Sequence, residues 1–297
     1  MSPPDRLPDP QADRLPDFLI VGAMKCGTTT LQAQLAAQPG IFMTTPKEPN
    51  FFSDDAVFAR GMDWYRGLFA KARPGDLKGE ASTHYTKRPT HPDTIARARP
   101  HLPSVRLVYM IRNPLERAVS HYIHEWSQAR MGADPVAEFA RHPELVDYGR
   151  YAWQIAPWIE AYGRDAVLLT SLEQLAADPQ GELARVARHI GLAGPVAWRA
   201  DLGAQNVSAE RVRKFPLERL LIANPVATAL RRALVPKAVR TAIRNRRRIE
   251  ARPALPADLR DRLQARFLQD RDDLARQFPG HPALRLCYPF AAQPVDG

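Results

Sequence analysis

The sequence predicts an α/β domain: three layers, with a central parallel sheet of roughly five strands between helices and a helical C-terminal region. Three observations predict it. Short apolar runs at 18–21, 41–43, 77–82, 105–111 and 166–170 alternate with stretches of helical periodicity, the pattern of parallel strands joined by crossover helices. Several of these runs are unbroken rather than alternating, as in strands covered on both faces. The first run also passes through a glycine loop directly into a helix, an arrangement that presents backbone N–H groups and a helix dipole to an anion.

The first strand, FLIV at 18–21, is followed by Gly22 and Gly27 at the G-x-x-x-x-G spacing of a phosphate-binding P-loop. The next helix places Leu31 and Leu35 one turn apart on its inner face. An ordinary strand–turn–helix, with Gly and Thr serving only as turn and N-cap, shares these features. A nucleotide triphosphatase carries lysine after the second glycine; here that position is Thr28, and the lysine, Lys25, lies inside the loop. With Thr28, Thr29 and Thr30 following Gly27, the segment resembles the 5′-phosphosulfate loop of sulfotransferases that use 3′-phosphoadenosine 5′-phosphosulfate (PAPS). Carbohydrate and heparan-type members carry K-x-G-T-[ST] here. The P-loop-like fold is what the resemblance implies, with Lys25, Cys26, Gly27, Thr28, Thr29 and Thr30 at the cofactor.

After the break at Pro39-Gly40, residues 41–43 read as a second strand, and TTPKEPNFF follows at its carboxyl end, where open α/β sheets form ligand sites. Pro46 and Pro49 are expected to keep this part extended. Lys47-Glu48-Pro49-Asn50-Phe51-Phe52 resembles the K-E-x-H-F-F stretch of the heparan-type enzymes, with Asn50 in place of histidine. The resemblance makes Glu48 the catalytic base, with Lys47 and Asn50 toward the acceptor; a solvated Lys–Glu pair is the plainer alternative. Residues 57–71 read as an aromatic-rich helical core segment. The third strand, 77–82, continues into Thr83-His84-Tyr85, a partial match to G-E-x-[ST]-P-x-Y without the proline. His84 is positioned like the base of the cytosolic aryl and alcohol sulfotransferases and ranks second to Glu48.

The fourth strand, VRLVYMI at 105–111, ends in Arg112-Asn113-Pro114. A helix is expected there, with Asn113 as N-cap, Pro114 at the first position and Glu116 completing a capping box. Capping does not account for Arg112, nor for Ser120 two turns on. IRNPLERAVSHY is similar to the family's 3′-phosphate motif, in which that Arg and Ser bind the phosphate on the adenosine ribose, and a guanidinium fork suits phosphate oxygens. Tyr151, Ile155, Trp158, Ile159 and Tyr162 trace one face of an amphipathic helix. Residues 166–170 form the fifth strand, a helix with Leu183, Val186, Ala187 and Ile190 stops at Gly191, and Glu173 is assigned to scaffold. The last helix starts at Pro256, with Leu259, Leu263, Phe267, Leu274 and Phe278 facing the core.

Composition sets the bounds. The 297 residues are 45% hydrophobic and 25% charged, with two cysteines, Cys26 and Cys287. Those values fit a soluble globular chain and provide neither a disulfide framework nor a cysteine metal cluster, so a cytoplasmic location is expected. We divide the chain into a flexible Pro- and Asp-rich tail, 1–16, and one domain, 17–290. No run reaches the ~20 apolar residues of a membrane span. Net charge is +10, but residues 211–252 hold thirteen Lys or Arg against two acids, making that arm +11 and leaving the remainder at −1. Basic helices packed on the domain, or peripheral contact with an anionic membrane or polyanion, would both suit the arm. No nucleic acid is expected. Related enzymes close a basic loop over the nucleotide near here, which makes Arg211, Arg213 and Lys214 candidates.

The resemblance thus implies sulfuryl transfer from PAPS, without a metal, to a hydroxyl or amine acceptor, carbohydrate or lipid-linked. A P-loop kinase or ATPase is the rival enzyme class; it requires lysine after Gly27 and usually an acid at a strand end to hold Mg²⁺. A surface-binding protein using the 211–252 arm is the non-enzymatic rival.

Overall fold

The structure, a computed structural model, describes residues 14–202 and 253–291. Residues 1–13 of the expected tail lie outside the described residues, as do Gln205–Ser208, Arg211, Arg213, Lys214 and the whole 211–252 arm.

Strand β1 (Phe18–Gly22) is buried along its entire length, as its uninterrupted apolar sequence requires. β3 (Leu77–Ala81) and β4 (Arg106–Ile111) flank it, with β2 (Ile41–Met43) outside β3 and β5 (Val167–Ser171) outside β4. All four pairings are parallel, in the order β2-β3-β1-β4-β5. Phe18 stands opposite Gly79, and a Cβ at Gly79 would fall 2.2 Å from the Phe18 ring, so the glycine leaves room for it. The chain runs from β1 out to β2, returns to β3, then crosses β1 to reach β4. That reversal opens a crevice at the carboxyl ends of the central strands. Right-handed crossovers put the helix after β1 on one face and the helices leading to β4 and β5 on the other.

In order, the helices are α1 (Thr28–Ala36), α2 (Asp55–Phe58), α3 (Met62–Gly67), α4 (Thr94–Ala98), α5 (Pro114–Ser127) and α6 (Pro135–Arg141). They continue as α7 (Glu144–Asp147), α8 (Tyr151–Tyr162), α9 (Leu172–Ala177), α10 (Pro179–Ile190), α11 (Ala257–Gln277) and α12 (Ala283–Leu286). The aromatic segment expected as one helix is two, α2 and α3, parted at Gly61, whose φ of 81° interrupts the helix. Its aromatic side chains do enter the core: Phe51 stacks on Tyr65 with ring centroids 4.5 Å apart, and Phe69 is buried. α11 buries Leu259, Leu263, Phe267 and Leu274 and packs on α8 and α5. Asp270 of α11 accepts the N–H groups of Ala152 and Trp153 at 2.9 and 3.1 Å, capping α8 from a distant helix. Among the described residues, no helix is long and apolar enough to cross a membrane.

Two local expectations change. Asn113 caps α5, accepting from the N–H groups of Leu115 and Glu116, but the capping box is not closed by Glu116. The Asn113 N–H donates instead to Glu173 at 2.8 Å, while Glu116 lies 3.7 Å from Arg112. The scaffold role of Glu173 is therefore specific: it satisfies the backbone at the turn into α5 and accepts from the Cys287 thiol at 3.2 Å. The stretch after β2 is not uniformly extended either, because Glu48 and Asn50 take left-handed φ values of 58° and 55°. The Glu48 N–H reaches the Ala81 carbonyl at 3.0 Å and the Asn50 N–H reaches Ser82 Oγ at 3.0 Å. Docking on the end of β3 overrides the local preference of residues beside proline.

Candidate active site

The loop after β1 is shaped by what approaches it. A Cβ on Gly22 would sit 1.9 Å from Thr86 Oγ1, which donates to the Val21 carbonyl at 2.8 Å. A Cβ on Gly27 would sit 2.8 Å from Leu172, and Gly27 has φ 90° as the N-cap of α1 with no side-chain cap. Its N-terminus thus faces the loop without a side chain closing it, as anion-binding helix ends do. Lys25 also has a left-handed φ, 69°. Three of the four non-glycine residues of positive φ among those described, Lys25, Glu48 and Asn50, thus lie on predicted site segments. Such backbone conformations cluster where function over-determines them. Thr28 is buried, and Thr29 and Thr30 are half-buried on the first turn. Cys26 turns inward, with its sulfur 3.5 Å from the Tyr151 hydroxyl and its N–H directed to the Ala23 carbonyl at 3.3 Å. Burial pushes its thiol up to about 11. The thiol thus stays protonated and belongs to the core.

Arg112, one residue beyond β4, closes the other side of the cradle. Its Nη1 donates to the Lys25 carbonyl at 3.3 Å, and its Nε is buried without a partner. The Tyr151 hydroxyl donates to the Arg112 carbonyl at 2.8 Å while lying beside Cys26. One phenol therefore joins the glycine loop to the end of β4. Sequence reading placed Tyr151 on a buried helix face and missed this, since periodicity reports the face and not the hydroxyl's target. Ser120, predicted beside Arg112, is buried two turns into α5. Arg117, on the same helix, is fully buried and donates to the Leu145 carbonyl, acting as a strut to α7.

The second half of the site gathers around Glu48. Lys47 Nζ bonds its Oε1 at 2.5 Å, and Thr83 Oγ1 donates to its Oε2 at 3.3 Å. Burial alone would raise this carboxyl; the charge and hydrogen bond of Lys47, then the charge of Lys87, outweigh it and hold the pKa below the ordinary value. Glu48 is ionised at neutral pH and one third of its side chain is exposed, so it can take up a proton from a ligand. Behind it, Tyr65 and Ser82 both donate to the buried Glu80 carboxyl, and Ser82 Oγ holds the Asn50 N–H. Asn50 Oδ1 and His84 Nδ1 are buried without partners. His84 stacks on His91 with centroids 4.6 Å apart, and burial, with Lys87 and His91 adding, pushes its pKa down to about 4. His84 is therefore a neutral imidazole at physiological pH.

The link between the halves is a 3-10 turn, Thr83–Thr86, where the sequence had suggested a continuing strand. Thr83 at one end meets Glu48, and Thr86 at the other meets the backbone beside Gly22. Among the described residues no group of three His, Cys, Asp or Glu is placed to hold a metal ion. The arrangement can hold an extended dianion between the loop and Arg112 while presenting an ionised carboxylate from the neighbouring strand end.

Residues 15–227 match the sulfotransferase domain family. Heparan sulfate glucosamine 3-O-sulfotransferase 6 of Mus musculus is 31% identical over 194 residues, which cover 62% of this chain and 54% of that protein. The bifunctional heparan sulfate N-deacetylase/N-sulfotransferase 1 of Homo sapiens is 26% identical over 214 residues, 64% of this chain and 24% of that protein. The chain spans about half the length, or less, of the curated relatives it matches. A crystal structure of a sulfotransferase from Alicyclobacillus acidocaldarius superposes with a TM-score of 0.64 at 24% identity, covering 91% of this chain and 99% of that one, and shows the same fold. This chain belongs to the sulfotransferase domain family.

Proposed function

We propose that this sulfotransferase-family chain transfers a sulfuryl group from PAPS to a hydroxyl or amine of a carbohydrate or lipid-linked acceptor. The observation that carries the proposal is the bond from the Arg112 guanidinium to the Lys25 carbonyl, which makes one cradle of two anion-binding segments. The first-turn N–H groups of α1, with Gly27, Thr28, Thr29 and Thr30, receive the 5′-phosphosulfate. Arg112 and Ser120 receive the 3′-phosphate, and Lys25 offsets charge gathering on the leaving phosphate oxygen. The acceptor oxygen or nitrogen attacks sulfur in line. A new bond to sulfur forms, the bond from sulfur to the phosphate oxygen breaks, and Glu48 takes the acceptor's proton. Positioning and oriented charge supply most of the rate gain in such a site. A sulfuryl group carries less charge than a terminal phosphoryl group, so the protein's own cations suffice in this scheme.

The similarity to heparan sulfate glucosamine 3-O-sulfotransferase 6 supports a search among amino-sugar glycans first. The test is incubation with sulfur-labelled PAPS and desulfated or N-acetylated glycan fragments, followed by identification of the labelled product. Label transfer without added metal supports the proposal. No transfer, together with no binding of 3′-phosphoadenosine 5′-phosphate, overturns it.

A further inference from the structure

Lys87 follows the turn that joins the two halves of the site, and only 9% of its surface is exposed. Its backbone is fixed: the Lys87 carbonyl accepts from the His91 N–H at 3.1 Å, and the neighbouring Arg88 exchanges two bonds with the Gln154 side chain at 2.8 and 3.0 Å. Its ammonium lies 5.7 Å from the Tyr148 ring centroid and makes no hydrogen bond or ion pair among the described residues. The charged groups facing it are Glu48 and Lys47 from the segment after β2, and Arg117 and Glu125 from α5. His84 and His91, on its own segment, and His121 of α5 face it too. Both carboxylates are already engaged. Glu48 is bonded by Lys47 and Thr83, and Glu125 is shared among His121, His124 and Arg130 at 3.8, 3.8 and 3.1 Å. The nearby carboxylates act on the ammonium only at a distance, and a buried ammonium with no direct ion pair or hydrogen bond is costly to retain unless an anion arrives from elsewhere.

We infer that Lys87 is a substrate contact on the Glu48 side of the site, where its buried ammonium, held by no hydrogen bond or ion pair, receives an oxyanion of the bound ligands. The inference rests on the sulfotransferase function proposed above. Two sources share the chemistry: an oxygen of the sulfuryl group in transit, or a carboxylate or sulfate substituent of the acceptor. Burial pushes the Lys87 pKa down to about 8 despite the neighbouring carboxylates. A bound anion would raise it again, and anion binding through Lys87 should weaken as the pH rises through about 8.

The experiment compares Lys87→Met and Lys87→Arg with the wild type. Removing an unpaired buried charge should leave Lys87→Met as stable as the wild type or raise its Tm, while kcat/KM falls about 10- to 150-fold, the size of a lost charge-assisted contact. Lys87→Arg should recover part of the activity that Lys87→Met loses. If the sulfuryl oxygens are the source, kcat falls equally for a neutral and an acidic sugar acceptor. If the acceptor is the source, KM rises for the acidic acceptor alone. Full activity of Lys87→Met toward both acceptors overturns the inference, as does a lower Tm falling in step with activity, which marks a structural lysine. Amine labelling quantified by mass spectrometry provides a readout independent of turnover. Lys87 should be protected by PAPS or by the acidic acceptor, and protection by neither overturns the inference. Absence of turnover in the wild type would instead count against the proposed function, leaving the labelling result to decide Lys87.

Discussion

The two halves of the site are built differently. The half proposed to hold the donor draws on two short local motifs, the 22–30 loop and the Arg112–Ser120 run, each spanning a strand end and the helix behind it. Its parts are cross-tied by single bonds: Arg112 to the Lys25 carbonyl, and Tyr151 to both segments. The half proposed to face the acceptor combines the segment after β2 with the turn after β3, bends the chain through left-handed Glu48 and Asn50, and leaves Asn50 Oδ1 and His84 Nδ1 without partners. A rigid, cross-tied cradle suits a ligand that never changes. Polar groups left open beside a carboxylate suit one that does, since acceptors differ and loops carry the difference.

The comparison can be broken most sharply at Glu48. Glu48→Gln should reduce turnover by about 10²–10⁴ while leaving nucleotide affinity nearly unchanged. His84→Asn should cost far less, because Glu48 rather than His84 is proposed to take the acceptor's proton. A fully active Glu48→Gln beside a dead His84→Asn would transfer the base to the histidine. Lys25→Ala should lower turnover by about 10²–10³ and, unlike Glu48→Gln, loosen binding of the 5′-phosphate end. Turnover assays and calorimetry on the same protein samples separate the two.

Smaller effects sharpen the picture. Arg112→Ala should weaken nucleotide binding by about 1.5–3 kcal/mol, and calorimetry should find the loss only for nucleotides bearing the 3′-phosphate. Equal losses with and without that phosphate would mean Arg112 serves the loop alone. The smallest change concerns pH. Burial raises the Glu48 carboxyl and Lys47 is the foremost of the charges that lower it. If Glu48 is the base, as proposed, it must be ionised to act, so Lys47→Met should move the acid limb of the kcat/KM profile to higher pH, and Lys47→Arg should leave it in place. Neither should alter nucleotide affinity.

The donor half was also the more legible in sequence, for the same physical reason. A buried parallel strand is an apolar run, a glycine loop declares its spacing, and an N-cap sits next to the helix it caps. All five strands and the Asn113 cap could be read this way. Long-range ties hold both halves, but in the acceptor half they also set the backbone conformation of the segment itself. Nothing local in TTPKEPNFF shows that Glu48 and Asn50 will bend to meet Ala81 and Ser82. Nor does the sequence show that Thr83–Thr86 will coil into a bridge, or that Lys87 will end up buried beside two occupied carboxylates. The capping box misled because Glu173, sixty residues away, supplied the acceptor that Glu116 was expected to provide.

The Tyr151 hydroxyl has a thermodynamic consequence. It sits at the first residue of α8, whose opening N–H groups are held by Asp270 of α11, so the glycine loop and α11 share one mechanical linkage. Linkage is reciprocal: whatever steadies one end steadies the other. Nucleotide should therefore slow amide exchange along 257–277, far from any phosphate, and Tyr151→Phe should uncouple the two while removing about 0.5–1.5 kcal/mol of stability. A mutation or a docked molecule on α11 would then act as a remote control on the loop, without touching the ligand.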